Sequence, residues 1–331
     1  MAALCLTACH KDPQPNPDDQ PEQIPTGDGV YNPGRHITSI ASNNGTTETW
    51  LWENKKLMSI TETDEDGYSS VSSFGYDGWR LTRATLTGDI AGTATYTYSG
   101  DKMTNFSVSS GGMQVATADV VHTGDKVTHL DLNLNEEMLQ MLISMMGDGG
   151  FPFPFKGGNS GSKLSLSSTD FDADLIWEGD NVSRMVLSGQ VVMGVTVDEL
   201  RQFLPLDSIM GSMASLLNYI TAGQELPLTL NINDTTDLDY DSHTNPLQGF
   251  LGKLDPSILS ANNVTSVENY GIMSAVLTIT IPYLGSHDIN YDIPLGEGMT
   301  QTFTYTYNAA GYPATVIDNE GVLRTYTYQE Q

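Results

Sequence analysis

The stretch that decides the fold is Thr95–Phe106, with the sequence TYTYSGDKMTNF. Threonine and tyrosine alternate in its first half, and both residue types suit a half-buried pleated strand. A period of two places Tyr96 and Tyr98 on one face and the threonines on the other. The Ser-Gly-Asp that follows predicts a tight reversal, because Gly and Asp tolerate the positive φ of hairpin turns. Met103 and Phe106 then follow five and eight positions after Tyr98, so the stretch predicts a β-hairpin.

The same unit recurs along the chain: an aromatic or histidine anchor, a turn, and apolar residues five and eight positions on. The anchors are Trp52, Tyr76, Tyr98, His122, Trp177 and Tyr307, and the last copy lacks the second apolar site. The offsets of five and eight have opposite parity, so either a bulge follows each turn or both faces of that strand are covered. Successive hairpins predict a mainly β domain, a large antiparallel meander in the form of a curved sheet or a barrel.

The N-terminal region predicts a membrane-anchored protein. Leu6-Thr7-Ala8-Cys9 resembles a bacterial lipobox, in which Cys9 is the lipidated residue. Only eight residues precede Cys9, none of them Lys or Arg, so residues 1–9 are interpreted as a truncated signal peptide and lipobox. Residues 10–34 are rich in Pro and Asp and predict a disordered tether, followed by a single domain over 35–331. Two or three acyl chains would anchor it stably, which predicts an outer-membrane lipoprotein, periplasmic or surface-exposed.

Two stretches resemble the turns of YD-type (Rhs-like) repeats, namely Tyr76–Thr82 (YDGWRLT) and Tyr307–Tyr312 (YNAAGY). Together with the lipobox, the chain looks like an uncharacterised family of Bacteroidetes lipoproteins whose domain is described as porin-like. The resemblance implies a wide curved sheet or barrel and carries over no functional residue.

Three segments have helix signals. They are Asn135–Gly147, Thr196–Gly223 and Asn245–Leu254, within insertions at about 135–160, 196–223 and 245–260. We expect a few amphipathic helices to pack on or inside the sheet, either as ordinary core or as the lining of a cavity for a lipid or another apolar ligand. The candidate lining residues are Met138, Met141, Met145, Met210, Met213, Phe151, Phe153 and Phe155.

Composition limits the possible partners. The 331 residues carry 41 acidic and 14 basic side chains, a net charge of −27, which repels nucleic acid and favours solubility. A true porin is not expected, because membrane strands need outward apolar residues at alternate positions. Ser274–Tyr283 and Leu226–Ile232 have enough apolar residues for this, whereas the Thr/Tyr strands do not. We expect a wall with water on one side and a core on the other.

Motifs for metal-dependent hydrolysis, nucleophilic catalysis and nucleotide binding are absent from the sequence. It therefore predicts neither an enzyme nor a cofactor. Two acidic strings are candidates for calcium or, alternatively, solvated hairpin turns. Their carboxylates are those of Asp64, Asp66, Asp237, Asp239 and Asp241.

The sequence thus predicts a non-catalytic cell-surface lipoprotein, a β-repeat module that binds or supports a protein or glycan partner. One alternative is a carrier of an apolar ligand in a half-barrel lined by the Met-rich helices. The other is an envelope hydrolase with a carboxylate pair, which the sequence favours least.

Overall fold

The structure, a computed structural model, describes residues 24–88, 91–135, 166–196, 223–252, 256–281 and 285–329. Within these ranges the chain forms sixteen strands. They are β1 Ile37–Ser42, β2 Thr47–Glu53, β3 Lys56–Thr63, β4 Ser69–Asp77, β5 Arg80–Thr87, β6 Gly92–Ser99, β7 Lys102–Ser110, β8 Met113–Thr123, β9 Lys126–Leu134, β10 Leu166–Glu178, β11 Asn181–Thr196, β12 Glu225–Thr244, β13 Asn262–Ile281, β14 Gly285–Tyr307, β15 Pro313–Asp318 and β16 Leu323–Tyr328.

The sheet is a closed antiparallel barrel. Each strand pairs with the next one along the chain, and β1 pairs with β16. In this closing pair, Ile37 lies opposite Tyr328 and Ile40 lies opposite Tyr326. The predicted meander is confirmed, and so is its barrel form. An open curved sheet is wrong, because closure pairs the two edges that an open sheet would leave exposed.

Apolar side chains line the inside of the barrel. In the Thr/Tyr strand β6, Tyr96 is buried while Thr95 and Thr97 are exposed. The longest apolar strands follow the same rule: Leu228 and Leu230 are fully buried, and Asn231 lies outside, where its Oδ1 accepts a hydrogen bond from Gln190 on β11. The core that the sequence predicts on one side of the wall therefore lies inside the barrel.

The repeats meet at one end of the barrel. The even-numbered strands run towards this end, and the anchors lie near the C-terminal ends of β2, β4, β6, β8, β10 and β14. We call it the turn end. At the opposite, far end, β9 and β11 end and β10 and β12 begin.

A bulge follows each of the first five repeat turns. In the hairpin of β6 and β7, Tyr98 pairs with Met103 and Thr97 pairs with Asn105, so Thr104 is the extra residue. The bulge brings both apolar positions of the repeat to the inside, and this confirms the first of the two arrangements that the sequence left open. Thr104 also donates its hydroxyl to the carbonyl of Thr97 at 3.3 Å. Thr82, Thr128 and Ser183 repeat this bond with Gly75, Val121 and Ile176.

The amphipathic helix predicted over Asn245–Leu254 is wrong. Residues 245–252 form successive turns, and the only helical element of the described chain is the 3₁₀ turn Pro256–Leu259. Gly249 has a φ of +79°, which ends any helix started at Asn245. The helices predicted at 135–147 and 196–223 lie almost wholly outside the described residues. Packed amphipathic helices are therefore wrong for the part of the fold that the structure describes.

No helix among the described residues is long and apolar enough to cross a membrane.

Two segments fill the turn end: residues 24–36, and residues 245–252 together with 256–261. We call them together the plug. Tyr31 is 5% exposed and Phe250 is 2% exposed, and their ring centroids lie 5.0 Å apart. Phe250 also packs against the wall residues Trp50 and Phe74 at 5.5 and 5.4 Å. The Tyr31 hydroxyl donates to the carbonyl of Pro246 at 2.7 Å, which ties the two segments together. One cluster of the core therefore lies inside this end of the barrel.

The N-terminal part of the plug is packed tightly against the repeats. Gly29 has a φ of +74°, and a Cβ there would lie 2.2 Å from the Tyr98 hydroxyl. The Gly29 carbonyl accepts a hydrogen bond from the Leu81 amide at 2.9 Å. The tether predicted over residues 10–34 is therefore wrong at its C-terminal end, because residues 27–31 are part of the folded domain.

Candidate functional site

The repeat anchors hold the barrel together. The Tyr76 hydroxyl donates to the carbonyl of Leu57 at 2.7 Å, so each repeat is tied to the one before it. The remaining bonds of this kind join Tyr98 to Leu81, Trp177 to Val127, Tyr240 to Val182, Trp52 to Ile37 and Tyr328 to Pro313, at 2.6–2.8 Å. We call this set the anchor ring. Burial raises the pKa of Tyr76 and Tyr98, which keeps these hydroxyls protonated as donors.

Two anchors bond a carboxylate instead of a carbonyl. His122 Nε2 lies 2.8 Å from Asp28 Oδ2, and the same oxygen accepts the Met103 amide at 2.7 Å. Asp28 belongs to the plug, so this pair fixes the N-terminal segment to the ring. At the second position, the Tyr307 hydroxyl donates to Asp241 Oδ2. The two anchors that bond a carboxylate therefore both lie where the plug meets the anchor ring.

Asp241 organises the start of the second plug segment. Its Oδ1 accepts the backbone amides of His243 at 2.8 Å and Asn263 at 3.2 Å, and the side-chain amide of Asn263 donates to both oxygens. The His243 ring stacks on Tyr307, with centroids 3.7 Å apart and a 9° interplanar angle. Burial, followed by the hydrogen bond to Asp241, raises the pKa of Tyr307. This carboxylate is surrounded by donors and has a structural role.

The calcium candidates do not meet at one place. Asp64 Oδ1 accepts the amides of Asp66 and Tyr68, as in an ordinary turn. Asp237 pairs with Arg184, whose Nε and Nη2 lie 2.5 and 3.0 Å from its oxygens, and Arg184 lowers the pKa of Asp237. Asp239 is exposed. Among the described residues, no group of three or more His, Cys, Asp or Glu side chains is arranged to hold a metal ion.

The other predicted site residues lie outside the described ranges. These are Cys9 and the candidate apolar lining Met138, Met141, Met145, Met210, Met213, Phe151, Phe153 and Phe155. Their roles stay predictions.

A small pocket opens beside Asp241, between the plug and strands β13 to β16. Its volume is about 70 Å³. The polar part of its lining consists of Asn245, Ser257, Asn263, Tyr305 and Tyr326. Burial raises the pKa of Tyr305, and it raises that of Tyr326 to about 12, so both phenols are neutral at physiological pH. The pocket thus offers hydroxyl and amide groups beside aromatic rings.

Sequence reasoning missed this pocket and the Asp28–His122 pair. Tyr305 belongs to a stretch of alternating Thr and aromatic residues, and Asn245 to a stretch with helix signals, and neither pattern indicates a pocket. The pocket joins residues from three separate parts of the chain, and no local spacing connects them. One signal was available: His122 replaces an aromatic anchor in an otherwise regular repeat, which marks a position with a different partner.

No protein-family model and no curated protein matches the chain. Among solved structures, it is similar to a porin-like protein from Bacteroides vulgatus ATCC 8482, with 9% sequence identity and a TM-score of 0.32. The match covers 89% of this chain and 100% of that one. A likeness at this level carries no argument about function.

Proposed function

We propose that the protein is a non-catalytic lipoprotein of the bacterial cell envelope, whose barrel serves as a binding or structural module. The observation that carries the proposal is the anchor ring. It uses the polar atoms of the repeat motif to join neighbouring hairpins, so the repeated residues build a scaffold. A wall with polar side chains outside and apolar ones inside fits a domain held beside a membrane by a separate anchor.

The anchor proposed is lipid on Cys9. The folded domain begins near residue 27, so fewer than twenty residues separate it from Cys9. In an extended conformation at about 3.1 Å per residue, this segment reaches roughly 55 Å. The plug would therefore be the part of the barrel nearest to the anchor.

Lipidation is tested by expressing the chain behind a complete lipoprotein signal peptide. We expect the protein in the membrane fraction, and we expect mass spectrometry to find two or three acyl chains on Cys9. Cys9→Ser should release the protein to the soluble fraction, whereas Cys5→Ser, in the segment to be removed, should not. Membrane retention of Cys9→Ser would contradict the anchor.

The non-catalytic role is supported by Asp241, which lies beside the pocket and is held by four protein donor groups. It is tested with a panel of p-nitrophenyl glycosides. We expect no release of nitrophenol by the purified chain, and turnover that Asp241→Asn abolishes would overturn this part of the proposal. The carrier alternative depends on residues outside the described ranges and stays a prediction.

A further inference from the structure

We propose that the pocket beside Asp241 binds one edge of a neutral sugar residue, through the hydroxyls of Tyr305 and Tyr326. This inference deepens the proposed binding role and names a ligand class for it. It does not depend on lipidation of Cys9, because the pocket lies within the folded domain.

The first argument is the hydrogen-bonding capacity of the two tyrosines. The anchor-ring tyrosines each donate to a main-chain carbonyl, for example Tyr76 to Leu57 and Tyr328 to Pro313. By contrast, the hydroxyls of Tyr305 and Tyr326 have no hydrogen-bond partner in the described part of the structure, although both residues lie on the inner face. Both residues are half-buried and line the pocket, and neither hydroxyl is a fully buried unsatisfied group, so solvent reaches them and a ligand can replace that water.

The second argument is the mixture of surfaces. Pro246, Val264 and Pro313 supply apolar parts of the lining in addition to the amides and hydroxyls. Tyr305 is held in position by stacking on Tyr307, with centroids 6.0 Å apart. A sugar ring presents C–H groups on its faces and hydroxyls at its edges, so apolar walls with a few placed polar groups match its two kinds of surface.

The third argument is charge. The chain carries a net charge of −27, and Asp241 lies directly behind Tyr307. The nearby Arg324 is paired with Asp318 at 3.2 Å and does not provide a free cation. An anionic ligand would be repelled, and a neutral one would not.

The volume sets the size of what enters. A cavity of about 70 Å³ has room for a few water molecules. A whole oligosaccharide does not fit, but two adjacent hydroxyls of a terminal sugar do. We therefore expect a weak site, with a dissociation constant on the order of millimolar.

The test uses the full chain with Cys9→Ser, which keeps it free of lipid. The probes are the neutral methyl glycosides of glucose, galactose, mannose and N-acetylglucosamine, each up to 50 mM, with glucuronic acid as the anionic comparison. Saturation-transfer NMR detects contact, and titration of the protein resonances gives the affinity. We expect at least one neutral probe to bind more tightly than glucuronic acid. No binding by any neutral probe would overturn the proposal.

Two variants locate the site. Tyr305→Phe and Tyr326→Phe each delete a hydroxyl without breaking a described hydrogen bond, so each should weaken binding roughly five-fold, as expected for one hydrogen bond, and leave folding unchanged. Tyr76→Phe is the matched control, because its hydroxyl serves the anchor ring at Leu57 and neither residue lines the pocket. It should lower stability and leave sugar affinity unchanged. Unchanged affinity in both pocket variants would overturn the proposal, and so would an equal loss in the control. Failure here would leave the lipidation result standing.

Discussion

Replacing Tyr76 with Phe removes one hydroxyl from the anchor ring and nothing else. That hydroxyl donates to the carbonyl of Leu57 at 2.7 Å, across the boundary between the first two repeats. Leu57 is completely buried, so its carbonyl has little access to water once the hydroxyl is gone. We therefore expect Tyr76→Phe to lower the stability of the barrel without changing its strand order.

The magnitude follows from the local surroundings. A neutral hydrogen bond contributes about 1 kcal/mol net, and leaving a buried acceptor unpaired costs about 1–3 kcal/mol. Phe keeps the aromatic ring, so no cavity forms. We expect Tyr76→Phe to lower the free energy of unfolding by about 1–3 kcal/mol.

Urea unfolding followed by tryptophan fluorescence measures this loss, since the chain has four tryptophans. Tyr68→Phe is the control, because Tyr68 is 69% exposed and its hydroxyl has no partner in the described structure. Its unfolding midpoint should equal that of the parent protein. Matching midpoints for the Tyr76 and Tyr68 variants would refute the idea that the ring stabilises the barrel.

The plug and the buried phenols give two further predictions. Gly29→Ala should cost more than about 2 kcal/mol, because the new methyl group would collide with Tyr98 on a backbone already at positive φ. Gly67→Ala is the control, because Gly67 has a φ of +85° and open space around it, and it should cost only the backbone strain of about 1 kcal/mol. If urea unfolding gave the same loss of stability for both glycine variants, the plug would not be tightly packed. Burial raises the pKa of Tyr96 and Tyr326 to about 12. The stability that the folded state gains from keeping these phenols neutral is therefore fully present below the unfolded pKa near 10, and it is lost as the pH rises towards 12. The urea midpoint should fall over this range while phenolate absorbance at 295 nm rises late, and full ionisation near pH 10 without unfolding would contradict the burial.

Sequence reasoning located the hairpins because their determinants are local. The turn Ser99–Asp101 and the alternation before it lie within a dozen residues, and the structure has the hairpin of β6 and β7 at this place. The bulge was one of two arrangements that the sequence allowed, since offsets of five and eight fit one face only if an extra residue intervenes. Closure was not decidable in this way. It depends on pairing β1 with β16, two strands that no local pattern connects.

The helix predicted over Asn245–Leu254 failed for a related reason. Phe250 and Leu251 are buried, as the apolar side of a helix would be, but they enter the mouth of a barrel from a series of turns. Helical spacing cannot distinguish these arrangements, although Gly249 was a signal against a helix. The pocket had no local signal at all, because Asn245, Tyr305 and Tyr326 are brought together only once the barrel has closed.

The pairing of β1 with β16 also has a consequence for the order of folding. Every other strand pair joins sequence neighbours, so hairpins can assemble one after another as the chain becomes available. The bond from Thr38 to Thr327 spans 289 residues, and it forms only after the last strand has arrived. Until then two strand edges are unprotected and open to pairing between molecules. A chain cut before Leu323 would retain fifteen strands and, we expect, aggregate during refolding.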